Sequence, residues 1–105
     1  MKRQIVWSHR AEISYSHIID YLSDEFGAKR AMRYMDEVHS EVSKLSTQPD
    51  LGQLEPLLEG SKILFQRLVI GDYTKVIYHV TDERIDIADV WDTRMNPEEL
   101  IIRKG

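Results

Sequence analysis

The chain contains no cysteine. That excludes a disulfide framework and any thiolate metal site, and it fits a reducing compartment. A long apolar run is missing too: nothing approaches the roughly 20 residues that cross a bilayer. Near the N-terminus the only apolar run is Ile5-Val6-Trp7, shorter than the core of a secretory signal. The expectation is a cytoplasmic protein without membrane contact. Internal repeats and low-complexity tracts are absent. So is an excess of basic residues, and with it the usual basic face of a strong nucleic-acid binder.

What is present suits one compact domain. The length is 105 residues, enough for one core and too short for two, so residues 1–105 are expected to form a single domain. Hydrophobic residues make up 42% and charged residues 30%, the balance of a soluble globular protein. The net charge is -4, unevenly spread. Residues 1–19 carry three basic and one acidic residue, residues 20–61 four and nine, and residues 62–105 seven and eight. The acidic excess therefore sits in the middle of the chain.

Periodicity orders the elements. Arg3 to Ser8 is rich in β-formers and reads as a first strand, with Ser8 placed to cap a helix. Ala11, Tyr15, Ile18, Ile19, Leu22 and Phe26 form one helical stripe, and Gly27 ends it. A second stripe follows at Ala28, Ala31, Met35, Val38, Val42 and Leu45, with charged residues on its other face. Two amphipathic helices joined by about one residue must fold back into a hairpin. Pro49, Gly52, Pro56 and Gly60 then mark residues 47–60 as a loop.

From Lys62 the pattern becomes β. Strands are expected over residues 63–70, 73–80 and 85–91, with turns at Gly71-Asp72 and at residues 81–84. The last strand slips its alternation between Ile87 and Val90, which a β-bulge would absorb. Residues 98–105 read as a short helical turn or a frayed end. The fold class is α+β in the order β-α-α-β-β-β: a helical hairpin on one face of a curved, mainly antiparallel sheet.

The chemistry-bearing residues are few. His9, His17, His39 and His79 have no metal-ligand spacing, so neither a metal nor any cofactor is expected. The acid pairs Asp24-Glu25, Asp36-Glu37, Asp82-Glu83 and Glu98-Glu99 fall on helix surfaces or turns, where a solvated role suits them. Arg67 and Lys75 lie inside apolar strands, and Arg94 closes the last one. A charge there is costly unless it reaches water or a partner. Three cations on neighbouring strands would suit a phosphate or an anionic transition state if they converged. The plainer reading, which spacing favours, pairs each with Asp72, Asp89 or Asp92.

The chain also resembles a known superfamily. Ile18-Ile19-Asp20-Tyr21-Leu22, Gly27, Ala31, Leu45, Pro49 and Gly52 are similar to the helical hairpin of RelE/ParE toxins. Arg67-Leu68, Gly71-Asp72-Tyr73 and Val76-Ile77-Tyr78 resemble their central β-hairpin. Ile85-Asp86-Ile87, Val90-Trp91-Asp92 and Arg94 resemble their final strand, and Arg94-Met95-Asn96-Pro97 with Leu100 resembles the tail of one subgroup. The order and spacing of these motifs cover nearly the whole chain.

That resemblance implies the toxin of a type II toxin–antitoxin system, of the plasmid-stabilisation, growth-inhibiting kind. A cognate antitoxin would mask it, as a homodimer or hetero-oligomer. It implies one of two targets. ParE-like members poison DNA gyrase; RelE-like members cut mRNA on the ribosome with basic residues on the sheet. Arg67, Lys75 and Arg94 match basic positions of the nucleases. His79 shares a strand face with Lys75, and an imidazole is a side chain that suits acid–base chemistry. The tail from Leu100 offers no Tyr or His where the nucleases carry one. With the acidic charge, that favours the ParE-like reading over the mRNA endonuclease, with a non-toxic binder as the third.

Overall fold

The computed structural model describes residues 2–94. The expected tail turn over residues 98–105 and the motif residues 95–100 lie outside them. Strand β1 spans Gln4–Trp7, helix α1 His9–Phe26 and helix α2 Ala28–Ser43. Short 3-10 turns lead through residues 44–58 around a two-residue strand β2, Gln53–Leu54. Strands β3 (Gln66–Ile70), β4 (Thr74–Val80) and β5 (Arg84–Asp92) follow. The sheet order is β1-β5-β4-β3-β2; β1 runs parallel to β5 and every other pairing is antiparallel. This is the α+β layout read from the sequence, with one strand more.

The hairpin forms where the stripes placed it. The Ser8 hydroxyl accepts the Ala11 N–H at 3.0 Å, a true N-cap worth about 1 kcal/mol. Gly27, at φ 91°, both ends α1 and starts α2. Only a glycine takes that backbone conformation without strain, so the reversal needs a single residue. Ala11, Ile18 and Leu22 of α1 pack with Ala31, Tyr34, Val38 and Val42 of α2 onto Leu68, Ile70, Val76, Tyr78, Ile85, Ile87 and Val90.

Three expectations shift in detail. The stripe of α2 buries Tyr34 rather than centring on Met35, because the Tyr34 hydroxyl finds a partner 3.1 Å away in the buried Thr74. Phe26, at the end of the α1 stripe, is exposed, and its ring meets that of Tyr21 edge-on at 6.4 Å rather than the core. The strand expected from residue 63 starts only at Gln66; Ile63 and Leu64 face solvent, and the chain before them crosses the sheet instead.

The bulge falls where the alternation slipped. Ile77 opposes Asp89 and Tyr78 opposes Ile87, so Ala88 is the extra residue of β5. Asp89 then accepts from its neighbour Val90 N at 2.8 Å and from Trp91 Nε1 at 3.0 Å. Trp91 thereby joins Ile77, Leu58, Phe65 and Ala88 in a second, smaller cluster. Since Leu68, Val76 and Tyr78 face the helices, alternation places Arg67, Lys75, Ile77 and His79 on the sheet's other face.

Candidate functional site

The helix-free face is crossed by a strap, residues 53–65. It leaves β2, passes Glu55 and a turn at Pro56–Leu58, and returns to β3 through Phe65. Leu58 and Phe65 pack on Ile77 and Trp91. Glu55 is 2% exposed and lies against both sheet cations. Its Oε1 is 3.4 Å from Lys75 Nζ, and its Oε2 is 3.6 Å from Arg67 Nη1. Arg67 also donates to the Leu54 carbonyl at 2.9 Å and to Gln53 Oε1 at 3.4 Å. The strap thus supplies every acceptor that Arg67 and Lys75 meet in these contacts.

His79 lies further along β4. Its Nε2 is 3.2 Å from Asp86 Oδ2, and the same carboxylate accepts Arg84 Nε and Nη2 at 3.0 and 3.1 Å. The ring of Phe65 meets the imidazole edge-on at 6.1 Å. So Arg67, Lys75 and His79 share one face, each with a carboxylate at hand.

Arg94 is elsewhere. Asp92 pairs with Thr74 across the sheet and points to the helix side, where the Thr74 hydroxyl donates to Asp92 Oδ2 at 3.2 Å and accepts from Tyr34. Arg94 grips that carboxylate bidentately, Nε to Oδ1 at 2.8 Å and Nη2 to Oδ2 at 2.6 Å. Its guanidinium lies over the ring of Tyr73 at 4.5 Å and near that of Tyr21 at 5.8 Å. Hydrogen bonding to Asp92 raises the Arg94 pKa further. Burial pushes the Tyr34 phenol up to about 12. The three cations therefore do not converge: two sit on the helix-free face and the third on the helix side.

Sequence reasoning named Asp92 as a partner for a strand cation but missed Glu55 and Asp86. Asp86 alternates onto the His79 face and was open to inference. Glu55, one carboxylate in a loop beside Pro56, carries no local mark of its burial. Among the described residues, no group of three His, Cys, Asp or Glu is placed to hold a metal ion. No helix among them is long and apolar enough to cross a membrane.

The architecture is a two-helix hairpin on a five-stranded, mostly antiparallel sheet. The chain is similar to a solved structure described as the chromosomal ParDE TA system from P. aeruginosa. The TM-score is 0.71 at 15% identity, covering 87% of this chain and 96% of that one. A family model, ParE toxin of type II toxin-antitoxin system, parDE, matches residues 5–97. The chain belongs to the ParE toxin family. None of the curated proteins compared with it matches.

Proposed function

We propose that this chain is the growth-inhibiting toxin of a type II module, acting by binding an essential cytoplasmic target rather than by cutting RNA. The proposed target is DNA gyrase. A cognate antitoxin would hold the toxin in check as a hetero-oligomer, with residues 1–105 acting as one domain. Family membership supports the toxin role. The observation that carries the binding mode is the state of the sheet cations. Arg67 and Lys75 share the single carboxylate of the buried Glu55, and Arg94 is engaged with Asp92 on the other face. RNA cleavage needs a positioned acid and base beside unmasked cations.

A second reading has one observation in its favour. Arg67, Lys75 and His79 do share the helix-free face, as a RelE-like mRNA endonuclease would require. Two assays separate the readings. The chain is induced with and without the adjacent antitoxin gene, beside DNA-damage and translation reporters, and the purified toxin is added to gyrase during supercoiling. Gyrase inhibition with a DNA-damage response is the expected result. Arrested translation with cut mRNA would replace it by the nuclease reading. Unimpaired growth would sink both.

A further inference from the structure

Among the described residues, the buried acids Asp89 and Asp92 are held by close hydrogen bonds, and Glu55 is not. Its contacts are poor for an ion pair built for stability. Charge-assisted bonds close to about 2.7–2.9 Å, and Arg94 and Asp92 reach 2.6 and 2.8 Å in this same chain. Glu55 reaches Lys75 only at 3.4 Å and Arg67 at 3.6 Å, and its fully buried Oε2 makes no hydrogen bond. A buried carboxylate left short of donors is costly. The two cations, by contrast, are partly exposed and reach water.

The strap that carries Glu55 is weakly held. β2 pairs with β3 through two residues, Gln53 with Arg67 and Leu54 with Gln66. The Leu58, Glu59 and Ser61 N–H groups bond only to carbonyls within the strap. Its side chains Leu54, Leu57, Ile63 and Leu64 are exposed, Leu64 by 70%, and its apolar hold on the sheet comes from Leu58 and Phe65 packed on Ile77 and Trp91. A groove of about 290 Å³ lies beside the strap, with Leu54, Glu55, Leu58, Phe65 and Arg67 in its wall. Segments with few buried contacts open at low free energy. Opening would remove the acceptors of Arg67 together, since Gln53, Leu54 and Glu55 all belong to the strap or its start.

We propose that Arg67 and Lys75 form a phosphate-binding site, which the chain's own strap keeps closed by seating Glu55 between them. The Glu55 carboxylate stands in for an anion. A phosphate group offers more acceptor oxygens to a guanidinium fork and an ammonium than one carboxylate does. The ligand class is a phosphate-bearing anion, either a phosphodiester of single-stranded nucleic acid or a free polyphosphate. The site stands independently of the toxin's target.

The test uses the whole chain and its Glu55→Gln variant, with a labelled single-stranded oligonucleotide and with tripolyphosphate. Opening the closed state raises apparent affinity in proportion to the open fraction, so Glu55→Gln should bind about tenfold or more tightly than the unaltered chain. The gain should fall steeply with salt and vanish when Arg67→Gln and Lys75→Gln are added. Preference for the oligonucleotide assigns the site to nucleic acid, and equal binding per phosphate assigns it to free polyphosphate. A folded Glu55→Gln variant that binds no more tightly overturns the proposal, as does a gain that survives loss of both cations. Hydrogen exchange on the unaltered chain covers the case of a variant that fails to fold. Saturating tripolyphosphate should then speed exchange at Leu58, Glu59 and Ser61 but not in α1 or α2; unchanged exchange at these three amides rejects the idea.

Discussion

The Ser8 hydroxyl donates to the Ala88 carbonyl at 2.9 Å, tying the first turn of α1 to the bulge of β5. The same oxygen accepts from Ala11, and the Ser8 N–H bonds the Ile87 carbonyl at 2.9 Å. One side chain thus sets both the helix start and the geometry of the last strand. Ser8→Ala removes a cap and leaves a bulge carbonyl without its donor, at a cost of about 1–2 kcal/mol. A domain of this size should lose about 4–8 °C of Tm for each kcal/mol. Ser8→Thr should recover most of it. An unshifted thermal melt for Ser8→Ala would show that the bulge holds itself.

Gly52 is required for its lack of a side chain, not for its backbone angle. A Cβ there would lie 2.3 Å from the Arg67 carbonyl oxygen and 2.6 Å from the Tyr78 hydroxyl. That hydroxyl accepts Gly52 N–H at 3.0 Å and donates to the Pro49 carbonyl at 2.9 Å, pinning the start of the strap. Gly52→Ala should destabilise by about 1–3 kcal/mol through overpacking. Tyr78→Phe removes one of the clashing atoms, so the double variant should cost less than the sum of the single changes. Strict additivity in urea melts would mean that the two residues do not meet.

These two sites differ in how far the sequence discloses them. Ser8 sits one residue before a helical stripe, and the slip between Ile87 and Val90 marks the bulge, so both follow from local pattern. The hairpin follows likewise from two stripes and Gly27. Strand β2 does not: Gln53-Leu54 has no alternation to detect, and its pairing with Arg67 and Gln66 is long-range. Glu55 is hidden for the same reason, because its burial comes from strands that follow it. Tyr34 escaped because a tyrosine beside Met35 looks like the rim of a stripe until Thr74 supplies its hydrogen bond. The cations were visible as residues out of place, but their separation onto two faces depends on the parity at which Asp92 and Arg94 leave β5.

Tyr34 makes stability depend on alkaline pH. Its folded pKa is raised from 10.0 to about 12, chiefly by burial. Both states carry the neutral phenol below about 10, so the full stability is present there. As pH rises from 10 towards 12 the unfolded chain releases its proton first, and stability is lost through that window. Burial raises Tyr15 and Tyr78 as well, so they add to the same trend. Tyr34→Phe should lower stability at neutral pH by about 1 kcal/mol, through loss of the Thr74 bond, and should flatten the decline above pH 10. Urea midpoints measured across that range check both effects. A decline as steep as that of the unaltered chain would place the titration elsewhere.

The decisive prediction for function concerns the masked cations. If growth arrest needs Arg67 and Lys75 as catalytic groups, their loss should cost about 100- to 10,000-fold in rate, and toxicity should disappear. If the toxin works by binding, the two cations and Glu55 form a local charge cluster around one buried carboxylate, and removing all three together leaves no charge buried and unpaired. Single changes are poor tests, since Arg67→Gln or Lys75→Gln alone strands part of the Glu55 charge in the strap. The variant combining Glu55→Gln, Arg67→Gln and Lys75→Gln avoids this. At matched expression it should arrest growth as the unaltered chain does and still be rescued by the antitoxin. Growth resuming in that variant, with circular dichroism showing an intact fold, would move the active groups to the helix-free face and restore the nuclease reading. Arg94→Gln tests the other side of the sheet. It leaves Asp92 buried beside Thr74 without its bidentate partner, so it belongs with Asp92→Asn in a separate, double variant. That pair reports on the Tyr21–Tyr73–Arg94 surface without an orphaned carboxylate to confuse the result.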